Sequence, residues 1–404
     1  MSTETPAAAE VTAAVARLDS HAYASRVAAL RDAMRERGLA AVVLAGPESI
    51  YHQTGLDHLG YFALTLLVVP VAGPPVLIAR QMEEHTLRAQ VPHVRHAAYT
   101  DGEDPAEVAA RTLLDSTPPG SRVGVEEQSM FLPPALLHRM RAMTPDLVWT
   151  DCSALPAALR MIKTDAELDC VRQAAEVSDV AMRTALATAA PGVNERTVAA
   201  RTHQAMIEAG GEPPGFVPLI RSVARLPQEH VTWSDHVLRH GEALFVELSG
   251  CVRRYHAPMS RVVHCGEAAP GAEPAAEAAR AGQEAARAAL VPGAFTREVY
   301  AAWEDTVAEA TGVRQRRHHC GYLTGIGFSP SWVGGGDVLG IRADGGTVVR
   351  AGMVFHLMSW VTSPVSHVVS DTAVVTEDGC RLLTRTPREL VVAPAAPDRP
   401  ARSP

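Results

Sequence analysis

Phe245-Val-Glu-Leu-Ser-Gly-Cys-Val-Arg-Arg-Tyr-His-Ala-Pro-Met-Ser-Arg-Val-Val263 decides how this chain is read. Residues 244–248 have the composition of a buried strand, Ser249-Gly250 reads as a turn, and the β-branched run at Val262 and Val263 reads as the returning strand. Glu247 falls in the middle of the first strand, between Val246 and Leu248. An acid in that position is costly to bury unless it is paired, hydrogen-bonded or protonated, which makes it a candidate for chemistry. Arg253, Arg254, Tyr255, His256, Ser260 and Arg261 follow within reach of the returning strand. The competing reading is an edge strand with a solvated Glu and a basic loop.

The chain around this hairpin has 404 residues, beyond the roughly 250–300 at which single cores stop growing, so two domains are expected. A hydrophobic content of 47% and a net charge of −8 describe a soluble globular protein without a bulk basic surface for nucleic acid. Cys152, Cys170, Cys251, Cys265, Cys320 and Cys380 form no CxxC pair, and no apolar segment follows a basic N-terminus, so a reduced, cytoplasmic setting is expected. Residues 63–71, interrupted by Pro70, are too short to span a membrane and read as a buried strand.

Residues 1–20 are rich in Ala, Thr and Glu and read as a disordered extension. Residues 21–158 alternate helix with strand, which predicts an α/β domain. Helices are expected at residues 21–37, 106–114 and 133–143. Strands are expected at 40–45, 50–55, 64–71, 75–79 and 123–126. Thr164-Asp-Ala-Glu167 fits a capping box opening a long amphipathic helix toward Ala189, and the second domain, 159–391, is set to begin just before it. Helices at 194–209, 275–290 and 296–311 and strands at 348–361 and 368–375 complete it. Residues 392–404 read as a disordered Pro/Ala/Arg tail.

Four further motifs accompany the hairpin. They are Arg160-Met-Ile-Lys-Thr-Asp-Ala-Glu-Leu-Asp169, Glu229-His230 before the first strand, Gly321-Tyr-Leu-Thr-Gly-Ile-Gly-Phe-Ser-Pro-Ser-Trp332, and Gly352-Met-Val-Phe-His-Leu-Met358 with Asp371-Thr-Ala-Val-Val-Thr-Glu-Asp-Gly379. Together they resemble the creatinase and aminopeptidase P superfamily, and most closely its metal-independent ectoine hydrolase-like branch. The resemblance implies an α/β creatinase-like N-terminal domain followed by an α+β pita-bread catalytic domain. It also implies a homodimer in which the N-terminal domain of one subunit caps the site of the other, bringing Tyr61 toward the substrate. Metal-dependent members hold two ions with two Asp, one His and two Glu. Laid onto this sequence, those places are Glu247, Pro258, Thr324, Met358 and Ser370, of which only the first is a strong ligand. No metal and no other cofactor are therefore expected.

An amidinium carbon already carries positive charge and would be repelled by a metal, whereas a neutral amide gains from one. The expected function is accordingly hydrolysis of a C–N bond in a small cyclic amidine or amide. Glu247 would act as nucleophile or counter-anion and His230 as general acid and base. Tyr255 and Ser260 are candidates to hydrogen-bond the tetrahedral centre. Arg253, Arg254 and Arg261 are candidates for a substrate carboxylate, His256 for a further substrate contact, Asp371 for ring nitrogens, and Tyr322 and Trp332 for the pocket wall. Two other readings stay open: a metal-dependent Xaa-Pro peptidase with a rebuilt site, and a non-hydrolytic binding or biosynthetic protein on the same fold.

Overall fold

The computed structural model describes residues 20–333, 338–363 and 365–394. The chain divides into two compact units, Met1–Leu159 and Arg160–Pro404. The expected extension and tail lie outside the described residues, except that Ser20 opens the first helix and Val391–Ala393 form a strand.

In chain order the first unit comprises α1 (Ser20–Glu36), β1 (Ala41–Leu44), α2 (Pro47–Thr54), β2 (Leu66–Pro70), β3 (Val76–Arg80), α3 (Glu84–Gln90), β4 (Arg95–Tyr99), α4 (Pro105–Ser116), β5 (Arg122–Val125), α5 (Pro134–Met143) and β6 (Val148–Asp151). Its strands form one mixed sheet in the order β4-β3-β2-β1-β5-β6. The inner strands β1 and β2 are apolar and buried along their length, as strands covered on both faces must be. Residues 50–55, which read as a strand, instead belong to α2 and its cap. Pro47 fixes the first turn, Glu48 lies near the positive end of the helix dipole, and Gly55 closes the last turn at φ 79°, donating to the Tyr51 carbonyl. That run is too short for a 3.6-residue period to show.

A helix α6 (Ala154–Met161) crosses the division. The second unit then runs α7 (Asp165–Thr188), α8 (Glu195–Glu208), β7 (Leu219–Ser222), β8 (Ala243–Val252), β9 (Tyr255–Cys265), α9 (Ala272–Ala289), α10 (Thr296–Thr311), β10 (Gly321–Leu323), β11 (Val354–Val361), β12 (His367–Thr376), β13 (Gly379–Leu382) and β14 (Val391–Ala393). The capping box is formed. Glu167 accepts from the Thr164 N–H at 2.7 Å while the Thr164 hydroxyl accepts from the Glu167 N–H. The main sheet has the order β10-β11-β12-β9-β8-β7, with β13 on β12 and β14 on β9.

The β8–β9 hairpin differs from its sequence reading in one respect. The turn is at Arg253 and Arg254, which take φ 48° and 62°, and β8 continues straight through Ser249-Gly250. Gly250 serves helix packing instead. A Cβ there would collide with the Ala174 carbonyl of α7 and stand 2.8 Å from Val177 Cβ, so α7 rests directly on the strand backbone.

Register follows from alternation. Leu244, Val246 and Leu248 enter a core with Met259 and Val263 of β9 and with Val177, Ala181, Met182 and Val198 of α7 and α8. Each large apolar side chain buried there contributes roughly 1.5–3 kcal/mol, so a one-residue slip that sent Glu247 into this core is excluded. Phe245, Glu247 and Ser249 therefore share the other face, called the front face below.

Candidate active site

Cross-strand pairing draws the site. Glu247 stands opposite Ser260, Ser260 opposite Ser370, and Ser370 opposite Met358. These residues form a row across β8, β9, β12 and β11 on the front face. Two residues before Met358, and so on the same face, His356 pairs with Tyr322 of β10. Hydrogen bonds join the neutral members: Trp332 Nε1 to Tyr322 Oη at 2.9 Å, Tyr322 Oη with His356 Nδ1 at 2.8 Å, His356 Nε2 with Ser370 Oγ at 2.6 Å, and Ser370 Oγ to Ser260 Oγ at 2.7 Å.

Glu247 is 7% exposed. Loss of solvation pushes its carboxyl up to about 7, against the pull of Arg221 and Arg317 and with some push from Glu229. His356 Nδ1 lies 4.0 Å from Glu247 Oε1. Burial takes that ring down to about 3, so it is neutral at ordinary pH and the contact is not an ion pair. Arg221 projects from β7 over the Phe245 ring at 4.7 Å and reaches the carbonyls of Leu226 and Val231 at 3.4 and 3.3 Å. It thus ties down the segment that carries His230. Arg317 lies 4.0 Å over Trp360 and pairs with Glu229 at 2.8 Å.

His230 is exposed, at φ 57°, with its ring stacked on Phe216 at 6.2 Å. Phe216 in turn meets Trp332 edge-on at 4.9 Å. His230 is therefore attached to the pair of aromatic side chains made by Trp332 and Tyr322.

The structure assigns other candidates elsewhere. Tyr255 is on the back face, where its hydroxyl donates to Glu167 Oε1 at 2.6 Å and fixes the start of α7. Arg261 and Asp371 also face back. Every N–H of the guanidinium is engaged: Nε by the Pro387 carbonyl, Nη1 by the Ser260 and Ser370 carbonyls, and Nη2 by Asp371 at 2.8 Å and the Thr386 carbonyl. Asp371 additionally accepts from Thr384 and Gln283. Both side chains are buried on the back face, away from Glu247, so neither is presented there to a substrate carboxylate or ring nitrogens. His256 accepts from the Gly215 N–H through Nε2 at 2.9 Å, which leaves Nδ1 to donate to the Arg254 carbonyl. Burial holds it down to about 4, so it is a neutral strut. Arg254 occupies the hairpin turn, packs 4.6 Å over Phe328 and donates to the Pro213 carbonyl. Tyr61 belongs to the first unit, where its ring meets His58 at 4.4 Å and Phe131 at 6.1 Å.

His356, Arg221 and Arg317 were not singled out from the sequence. Period-two alternation offers a signal for the first, because His356 is two residues from Met358 on one strand. Nothing local points to the two arginines, whose relation to Glu247 arises from strand pairing and loop return.

The donor set does not fit a pair of hard cations. Thr324, Met358 and Ser370 supply hydroxyls and a thioether where carboxylates and an imidazole are required, and the Ser370 hydroxyl is already committed to His356 and Ser260. Among the described residues no group of three or more His, Cys, Asp and Glu could hold a metal ion.

Residues 26–162 match the creatinase/prolidase N-terminal domain, and residues 169–377, more than half of the chain, match metallopeptidase family M24. The chain belongs to family M24. Relatives extend over both domains. An uncharacterized hydrolase/peptidase of Sinorhizobium fredii, y4tM, is 28% identical over 92% of this chain and 97% of its own length. The ectoine hydrolase of Halomonas elongata is 26% identical over the same shares. The crystal structure of dipeptidase PepE from Mycobacterium ulcerans superposes with a TM-score of 0.80 at 26% identity, covering 94% of this chain and all of that one. The M24 hydrolases thus supply the frame. No helix among the described residues is long and apolar enough to cross a membrane.

Proposed function

We propose that this M24 hydrolase cleaves a C–N bond of a small cyclic amidine or amide amino-acid derivative without a metal ion. The observation that carries the reading is Glu247, a buried carboxyl raised to about 7 and facing a row of hydroxyls and a neutral imidazole. An amidinium entering that row supplies the positive charge that two metal ions supply elsewhere, and Glu247 ionises as it binds. Glu247 then stabilises the cation while water adds, or attacks its carbon to form an adduct that water opens. In either course the water oxygen ends on carbon and its proton on His230, while the C–N bond breaks and the leaving nitrogen takes a proton from His230, so that the imidazole is returned unchanged. The homodimer belongs to this reading on the resemblance alone, and the cytoplasmic setting on the cysteine pattern.

The test is mass spectrometry of the protein incubated with a panel of cyclic amidines and amides, which reports turnover and any covalent adduct together. His230→Ala should retain substrate binding and lose roughly 10²- to 10⁴-fold in rate. If it keeps the parent rate, His230 is not the acid. The similarity to a dipeptidase favours a second reading, hydrolysis of a dipeptide. Two equivalents of divalent metal per chain with chelator-sensitive dipeptide cleavage would establish that reading and remove the first.

A further inference from the structure

On the reading that the front face is the reaction site, we infer that Trp332, Tyr322, His356 and Ser370 form a one-directional hydrogen-bond chain that holds the Ser260 hydroxyl as a donor to the substrate oxygen formed beside Glu247.

The direction follows from what each group can give. An indole N–H only donates, so Tyr322 Oη accepts from Trp332 and directs its own proton to its other partner, His356 Nδ1. With Nδ1 accepting, a neutral imidazole carries its proton on Nε2, which donates to Ser370 Oγ. Ser370 passes its proton to Ser260 Oγ. Ser260 then accepts within the chain, and its own proton is not used by it. The opposite direction would leave the Tyr322 proton without an acceptor in the chain, at a cost of about 1–3 kcal/mol for a buried group.

The environment maintains this arrangement. Trp332, Tyr322, His356, Ser370 and Ser260 are exposed by 1%, 7%, 0%, 0% and 0%. Burial holds the imidazole neutral, as the chain requires, and keeps the Tyr322 phenol protonated. Ser260 lies directly across the ladder from Glu247, a pairing that puts Cβ atoms about 4.5–5.5 Å apart. A hydroxyl held there as a donor recognises an oxygen: the one that water brings to the amidine carbon and that becomes the product carbonyl. The chain moves no proton during the reaction. His356 is a positioning residue, acting through Ser370 on Ser260, and its alignment before the reaction is what makes the donor effective.

The experiment has an arm that needs no substrate. In the unaltered protein with selectively ¹⁵N-labelled histidine, long-range ¹H–¹⁵N NMR shows which nitrogen of His356 carries the proton. A proton on Nε2 between pH 5 and 8 is expected, and a proton on Nδ1 overturns the chain. Trp332→Phe, which removes the group that sets the direction, should give a tautomer mixture. The kinetic arm uses whichever cyclic amidine the parent turns over. Ser260→Ala should lower kcat by roughly 10²-fold with KM little changed, the scale of one preorganised oxyanion donor, and Trp332→Phe should lower it less. A Ser260→Ala protein with the parent kcat overturns the inference while the reaction stands. If no cyclic amidine is turned over, the reading of the reaction fails, and the chain is decided by the tautomer alone.

Discussion

Ser260 and Arg261 are neighbours in sequence, as are Ser370 and Asp371, yet each pair is split between the two faces of one sheet. The back face holds a buried ion pair, Arg261 with Asp371, 3% and 1% exposed, with all five N–H donors of the guanidinium satisfied. The front face holds a buried acid, Glu247, whose raised pKa reports that its charge is not fully compensated. Complete satisfaction makes the first region structural. Incomplete satisfaction costs the second stability, and on the proposed function it is what a charged substrate would relieve.

The contrast is broken most directly at Glu247. Glu247→Gln should lower turnover by more than about 10³-fold, on the order of 4 kcal/mol in the barrier, with thermal stability retained or raised. Activity within about tenfold of the parent would remove Glu247 from the mechanism. The mirror-image change is Arg261→Met, which strands Asp371 without its cation. It should cost about 3–5 kcal/mol in chemical denaturation, whereas Arg261→Met with Asp371→Leu together should recover much of the loss. A single variant as stable as the parent would show that the pair is not what holds the back face.

A third outcome sharpens the comparison through pH. The Glu247 carboxyl is raised from 4.5 to about 7 in the folded protein, so between those values the folded state binds the extra proton. Stability from this group is full below about 4.5 and is lost as pH rises through about 7. Glu247→Gln should therefore gain on the parent between pH 4 and pH 8, by up to about 3 kcal/mol at roughly 1.4 kcal/mol per unit. Parallel stability curves for the two proteins would place an ionised, well-paired Glu247 in the folded state. The smallest effect is expected at Tyr255→Phe, which removes one hydrogen bond to Glu167 and should cost about 1–2 kcal/mol in stability without changing kcat. A large loss of kcat there, with stability unchanged, would return Tyr255 to the reacting groups.

Sequence alone determined the order of domains, the capped helix at Thr164 and the strand bearing Glu247, because these depend on local propensity, on period and on residue type. It misplaced what depends on approach between distant segments. Ser249-Gly250 has the composition of a turn, but the glycine is there because α7 lies on the strand, and the real turn is made by two arginines with positive φ. Residues 50–55 have strand-forming members, but Pro47 and Gly55 bracket a helix too short to display its period. Polar residues adjacent in sequence read as one cluster, although a pleated strand sends neighbours to opposite faces. Only strand register decided that Tyr255, Arg261 and Asp371 face a structural network while Ser260, Ser370 and His356 face Glu247. Only burial decided that Glu247 is held near neutrality, because a side chain's cost of ionisation is set by everything packed around it, and the sequence does not state what that will be.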